Sequence, residues 1–386
     1  MAYHYLLTFY LLTSSITFSW AQTKPYFPTA QIWETRSPQQ MGLNAEQLQQ
    51  AVDFAQANEY EGDYDLKVAI LKGFVREPYH EIKGPTKDRG KPAGVVLKNG
   101  YIVTQWGDVD RVDMTFSVTK SYLSTIAGLA IDEGLIKSVD DSVGQYVWDG
   151  TFAGDHNSQI TWEHLLNQSS DWSGSLFGIS DWADRPPSEG GVDDWKYREL
   201  LTPGTNFEYN DVRVNLLAYS LLQVWRKPLP MILKEKIMDP IGASSTWRWY
   251  GYESSFVNVD GIMMQSVSGG GHSGGGVFIS TLDHARFGLL FLRRGLWNGQ
   301  RLISEDWINQ ATTSSPANES YGYMWWLNRG NRAWGGGTSP SIYYAAGFGG
   351  NFIIIDNEHD LVIVTRWLQP SQIGEMVRLV LASVED

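Results

Sequence analysis

Two β-hairpin patterns stand toward opposite ends of this chain, and the sequence between them reads mainly as helix. The first has apolar runs at 93–97 and 101–106 around Lys98-Asn99-Gly100. Asn-Gly supplies the positive φ angles that a two-residue turn requires. The second pairs the β-rich runs 351–356 and 361–367 across residues 357–360. Helical signals fill 117–133, stopped by Gly134; 211–225, after a Pro203-Gly204 turn; and 281–294, stopped by Gly295. A helix at 41–58, with Leu43, Leu48, Val52 and Phe54 on or near one face, precedes the first hairpin, and a closing helix is expected at 375–384. This order predicts an α+β fold: an antiparallel sheet flanked by helices, built from both chain ends, with a mostly helical lobe inserted. The sheet lobe is expected to take about 40–115 and 277–386, and the helical lobe about 116–276. No internal repeat or flexible linker divides the chain.

The composition excludes several classes of function. Of 386 residues, 42% are hydrophobic and 19% charged, which is globular. A net charge of -13 leaves no Lys/Arg excess for a phosphate backbone, so no nucleic-acid partner is expected. With no cysteine there are no disulfides, thiolate metal sites or thiol nucleophiles. The seven histidines form no H-x-x-x-H or H-x-H pair, so no metal site is expected. Aromatic residues make up 13% of the chain; most are expected in the core, the alternative being walls around a ligand.

Residues 1–21 contain no Asp, Glu, Lys or Arg; an apolar stretch runs from Tyr5 to Trp20, with small residues at Ser19 and Ala21. The pattern predicts a signal peptide cleaved near Ala21, ahead of a single domain at 22–386. A periplasmic or secreted protein follows, with no stable membrane insertion after cleavage. The basic n-region is missing, and a retained anchor is the alternative, although the stretch is shorter than the roughly 20 residues of a span.

The chemistry is concentrated at Ser117-Val118-Thr119-Lys120, which opens the helix after the first hairpin. Residues three apart share a helix face, so the hydroxyl and the ammonium can meet. A serine hydroxyl needs a nearby base to become a nucleophile, and a lysine serves only if its surroundings lower its pKa. Free N–H groups at the helix start can hold developing negative charge. Ser-x-x-Lys alone is also what an ordinary surface helix carries. A second serine, in Gly271-His272-Ser273-Gly274-Gly275, matches G-x-S-x-G, with Asp356 and His359 following in the order of a hydrolase triad. That elbow needs a strand directly before the serine and a helix directly after, and here glycines precede it and an apolar run, 277–279, follows.

The ordered set of Ser117-x-x-Lys120, Tyr209-Asn210-Asp211 and 345–350 resembles the serine β-lactamase/penicillin-binding-protein superfamily over roughly 40–386. The segments 270–276, 286–290 and 321–326 make it most similar to the class C-like branch of esterases, D-aminopeptidases and 6-aminohexanoate-dimer hydrolases. The resemblance implies Ser117 as the acylated nucleophile, Lys120 as its partner base and Tyr209 as the proton carrier. It implies an oxyanion hole from the backbone N–H groups of Ser117 and Phe348, and substrate-binding parts for Asp211, Gly347 and His272. No cofactor is implied, and the partner is a small-molecule amide or ester.

Two departures from the family pattern bear on substrate. The second motif ends in Asp211 where Asn is usual, and an Asp beside Lys120 favours the charged lysine. The third motif has Ala345 and Ala346 where β-lactamases and transpeptidases carry a cation and a hydroxyl, so β-lactams lose an expected carboxylate contact. Arg366 is the candidate to compensate. The expectation is therefore a neutral or differently oriented amide or ester substrate. A true β-lactamase or D-Ala-D-Ala carboxypeptidase is one alternative, and a non-catalytic binding protein on the same fold is the other.

Overall fold

The computed structural model describes residue 1 and residues 25–385. The expected signal peptide and its cleavage point lie outside the described residues. Asn44 starts the first long helix, α1 (Ala45–Ala57), by accepting hydrogen bonds from the N–H groups of Glu46 and Gln47. Strands β1 (Ala93–Lys98) and β2 (Tyr101–Trp106) form the first hairpin, and Asn99 and Gly100 take φ values of 54° and 89° as the turn chemistry predicts. The short β3 (Asp113–Met114) leads through a 3-10 turn, Phe116–Val118, into α2 (Thr119–Asp132), so the expected helix at 117–133 starts as a tighter turn. Helix α3 (Asp211–Trp225) follows where expected, capped by Asn210.

A long hairpin then interrupts the expected helical lobe: β4 (Arg248–Val259) and β5 (Ile262–Val267), turning at Asp260-Gly261 with φ of 54° and 85°. The Asp-Gly pair was a readable turn signal, but β4 mixes buried Trp249, Tyr252 and Val259 with exposed Arg248, Glu253 and Ser254 and so shows no continuous apolar run. Next come β6 (Gly276–Ile279) and α4 (Thr281–Leu292), then β7 (Trp326–Leu327), β8 (Tyr343–Gly347), β9 (Asn351–Asp356), β10 (Leu361–Arg366) and α5 (Ile373–Ala382).

The main sheet runs β7-β8-β9-β10-β1-β2, antiparallel at every pairing, so strands from both parts of the chain meet at β10 and β1. A second sheet runs β3-β6-β4-β5. Strand alternation divides the main sheet between two cores. Val95, Ile353, Ile355, Val362 and Val364 face Phe287 and Leu289 of α4. Val96, Ile354 and Ile363 face Leu48 and Val52 of α1 and Met376 and Val377 of α5. Covering both faces explains why β1, β9 and β10 read as nearly unbroken apolar runs. Among the described residues, no helix is long and apolar enough to cross a membrane.

Arg366 cross-braces the two sheets. It donates from Nε to Asn351 Oδ1 (2.7 Å), from Nη1 to Ile279 O (3.1 Å) and from Nη2 to Met114 O (3.0 Å), joining β10 to β9, β6 and β3. Burial brings its pKa down to about 10.

Helix α4 lies close on the sheet at Gly288, where a Cβ would come 2.7 Å from Val362 Cγ1 and 2.9 Å from Ile353 Cγ2. Both neighbours are fixed in the core. Gly288→Leu gains about 1 kcal/mol of helix propensity but must push α4 off the sheet, at a cost of about 2–3 kcal/mol or more. Urea unfolding should show a net loss of stability; an unchanged or higher midpoint would mean that the helix is free to shift.

Candidate active site

Ser117 sits in the 3-10 turn between β3 and α2, and the residue before it, Phe116, is held at φ 50°. That left-handed conformation costs a bulky residue about 1–2 kcal/mol. It persists because both sides of the turn are anchored. Thr115 Oγ1 and Tyr122 Oη bond the two ring nitrogens of His284 on α4 at 2.7 and 2.9 Å, and Thr119 Oγ1 accepts from the N–H of Val277 on β6 at 3.0 Å. Burial, helped by Arg366, pushes His284 well below the ordinary histidine pKa, so it stays neutral. On the far side, β8 ends against the turn: a Cβ on Gly347 would collide with Thr115 O and stand 3.3 Å from Val118 N. Gly347 must therefore be glycine, and Phe348 follows directly at the strand end.

Lys120 donates from Nζ to Ser117 Oγ at 2.9 Å and to Asp211 Oδ1 at 2.5 Å. Both side chains of the ion pair are 2% exposed. Burial pulls Lys120 toward neutrality, but Asp211 outweighs it and its pKa ends above the ordinary lysine value. Burial likewise opposes the Asp211 carboxylate, and the charges of Lys120 and Arg185 hold its pKa well below the usual range. Gly270 lies against the pair, since a Cβ there would fall on Asp211 Oδ1 and Lys120 Nζ. Asp211 does not line the cavity; it is reached through Lys120 and Arg185.

Tyr209 directly precedes the cap of α3. Its ring packs near-parallel on Trp326 with centroids 5.8 Å apart, and lies 4.6 Å from Lys120 Nζ and 5.1 Å from Arg185 Cζ. The loop before α3 is tied to the helix start. Gln168 Oε1 accepts from Asn210 N (2.9 Å), Asn210 Nδ2 donates to Asp181 O (2.8 Å), and Arg213 Nη2 reaches Asp171 Oδ1 (2.8 Å).

Ser117, Tyr209, His272 and Gly347 share the wall of one cavity of about 440 Å3 with Phe74, Phe116, Arg185, Gly270, Trp326, Trp334, Tyr344, Ala346, Phe348 and Phe352. Aromatic residues thus serve both readings, most in the core and this group around the site. In β8 alternation puts Ala346 on the cavity and turns Ala345 into the core. Arg366, spent on its three partners, is not on the wall, which overturns its candidacy as the substituting cation. Ser273 is 2% exposed, and its carbonyl accepts from the N–H groups of Lys83 and Gly84. Strand β6 intervenes before α4, so the elbow geometry is absent at Ser273. Asp356 and His359 pair locally at 2.6 Å at the β9–β10 turn.

The sequence reading missed a cluster around Arg185, which is held at φ 48°. Its Nη1 donates to Asp184 Oδ1 (2.7 Å) and its Nη2 to His272 Nδ1 (3.1 Å). Nη2 also lies 2.7 Å from Asp211 Oδ2, without the alignment of a hydrogen bond. Arg185 can only donate, so His272 Nδ1 accepts and the ring proton sits on Nε2, toward Glu77 Oε2 at 2.5 Å. Glu77, Asp184 and His272 bring one ligand atom each within 4.8 Å of one another, a set that could hold a cation. Here the Arg185 guanidinium is already bonded to two of its members. No spacing rule finds this group, because Glu77 and His272 are 195 residues apart; only Pro186-Pro187 marks the bend beside Arg185.

Comparison with known proteins matches the family described as Beta-lactamase to residues 93–367. No curated protein matches. Among solved structures, EstCE1, a hydrolase with promiscuous acyltransferase activity, is similar at 14% identity and TM-score 0.58, over 88% of this chain and 99% of that one. A family VIII carboxylesterase is similar at 17% identity and TM-score 0.57, over 89% and 99%. A Bacillus anthracis protein assigned as a 6-aminohexanoate-dimer hydrolase is similar at 16% identity and TM-score 0.50, over 74% and 76%.

The depressed Asp211 pKa means that its stabilising contribution is present above the usual carboxylate range and is lost only as pH falls through the depressed value. The raised Lys120 pKa gives a contribution that is full below about pH 10 and is lost as pH rises through the raised value. The pair should thus stay charged between about pH 4 and 10. Asp211→Asn strands a buried ammonium and should cost about 3–5 kcal/mol at pH 7 by urea unfolding. A loss under about 1 kcal/mol would mean that Lys120 is not held as the ammonium.

Proposed function

The chain belongs to the beta-lactamase family, within the serine β-lactamase/penicillin-binding-protein superfamily, and we propose that it is an exported serine hydrolase that cleaves a small ester or amide through an acyl-enzyme on Ser117. The observation that carries this reading is Ser117 Oγ, 2.9 Å from Lys120 Nζ, on the wall of an aromatic cavity. Export rests on the composition of residues 1–21.

In this mechanism Tyr209 acts as the phenolate, with the Lys120 ammonium and the Arg185 guanidinium beside its ring, and takes the proton of Ser117 Oγ as that oxygen attacks the carbonyl carbon. Lys120, paired with Asp211, works as an ammonium that orients Oγ. The N–H groups of Ser117 and Phe348 hold the oxyanion. Collapse of the tetrahedral adduct breaks the ester or amide bond, and Tyr209 returns the proton to the leaving alcohol or amine. Water then attacks the acyl-enzyme and gives a proton to Tyr209, which passes it to Ser117 Oγ as the acid leaves and is again the phenolate. The alanines of the third motif favour an ester over a β-lactam, because a charge-assisted contact to the lactam carboxylate, about 1.5–3 kcal/mol, is missing from the strand. The neighbours named as a carboxylesterase and a hydrolase with acyltransferase activity support this ranking.

Intact-mass analysis after fluorophosphonate treatment should show one adduct, on the peptide that contains Ser117. Labelling of Ser273 instead would overturn the mechanism. A short nitrophenyl ester should be turned over with kcat/KM about ten- to a hundred-fold above that for nitrocefin; equal values would refute the strand as substrate filter.

Replacing Lys120 or Tyr209 should slow acylation by about two powers of ten. The double variant should be little worse than either single one, since Tyr209 takes the proton only with the Lys120 charge beside it and the two act as one proton-handling unit. Losses that simply multiply in stopped-flow acylation would show two separate tasks.

A further inference from the structure

We infer that Arg185 is a substrate-binding residue that selects esters or amides carrying a second, free carboxylate; this rests on the hydrolase reading above and names the substrate class of that site. Among the described residues, Arg185 is the only Lys or Arg on the cavity wall. Lys120, the other cation of the cluster, is buried behind Ser117. The Arg185 side chain keeps 32% exposure although its carboxylate neighbours Asp184 and Asp211 are at 1% and 2%.

The guanidinium is fixed from one side and open on another. Its Nη1 and Nη2 are taken up by Asp184 and His272, with Asp211 in ionic contact. Among the described residues, Nε and the second Nη1 hydrogen have no acceptor. The backbone N–H of Arg185 donates to Glu77 Oε1 at 3.2 Å, and the Phe74 and Tyr209 rings lie 5.6 and 5.1 Å from Cζ. A preformed guanidinium with unused N–H groups is suited to a carboxylate, and ring walls that exclude water strengthen the contact.

Each carboxylate behind it already has a partner within the cluster. Asp184 pairs with Arg185, Asp211 pairs with Lys120, and Glu77 accepts a hydrogen bond from His272 Nε2, which stands between it and Arg185. Arg185 belongs to the side of the cavity formed by Tyr209 and His272, whereas the third motif lies on β8. A carboxylate held at Arg185 is therefore oriented differently from one held by a cation on that strand. Short monoesters of dicarboxylic acids, with the free acid on the acyl part, are the class that fits.

The test compares the p-nitrophenyl monoester of glutaric acid with its isosteric terminal amide, alongside fluorophosphonate mapping of Ser117. The wild-type enzyme should turn over the carboxylate ester with kcat/KM at least about tenfold above the amide, mainly through KM. Arg185→Gln should bring that ratio close to one, and Arg185→Lys should keep part of it. Because Arg185→Gln uncovers buried carboxylates and can fail to fold, wild-type inhibition by glutarate and by glutaramide is measured as well; glutarate should bind at least tenfold tighter. Equal turnover and equal inhibition, with Ser117 labelled, overturn the role of Arg185 and leave the hydrolase standing. No turnover of either ester and no Ser117 adduct overturn the hydrolase reading, and this inference with it.

Discussion

Lys120 and Asp211 enter from two helices 91 residues apart in sequence, and their charged ends meet at 2.5 Å in an interior that admits almost no water. Neither ion could be buried alone, because an unpaired charge at such depth costs several kcal/mol. The pair therefore fixes how the starts of α2 and α3 face each other. Ser117 and Tyr209 stand at those starts, so their approach follows from it. Gly270 is forced by the same pair, which leaves no room for a side chain.

A second requirement is that β8 closes on the Ser117 turn. Glycine at 347 permits the approach, and the strained Phe116 aims the serine out of the turn into the cavity. The Arg366 brace ties β9 and β10 to β3 and β6, so the strands on both sides of the turn share one set of hydrogen bonds. An arginine that composition alone would offer to a substrate is thus consumed by the scaffold, and a different one, Arg185, faces the cavity.

In the proposed mechanism, the aspartate that stands where the family's second motif usually has asparagine also alters the division of labour at Ser117. A lysine held as the ammonium orients and stabilises charge but has no lone pair with which to accept a proton. The same aspartate reaches Arg185 through its other oxygen, so one carboxylate links Lys120 to the cation on the cavity wall.

Much of this was written locally. The Asn99-Gly100 turn, the apolar runs of β1, β9 and β10, the capped start of α3 and the Ser117–Lys120 spacing each follow from neighbours within a few residues, and together they determined the α+β arrangement and the nucleophile candidate. The β4–β5 hairpin was missed although Asp260-Gly261 signalled it, because a strand with one wet face lacks an apolar run. Which alanine of β8 faces the cavity depended on the pleat, and the fate of Arg366 on carbonyls from two other strands. The union of Glu77, Arg185 and His272 depended on three loops meeting. Backbone conformation and hydrophobic periodicity are short-range properties that a sequence carries openly. Charge pairing among loops is decided only when the core has closed and burial has made every unpaired ion too costly to leave.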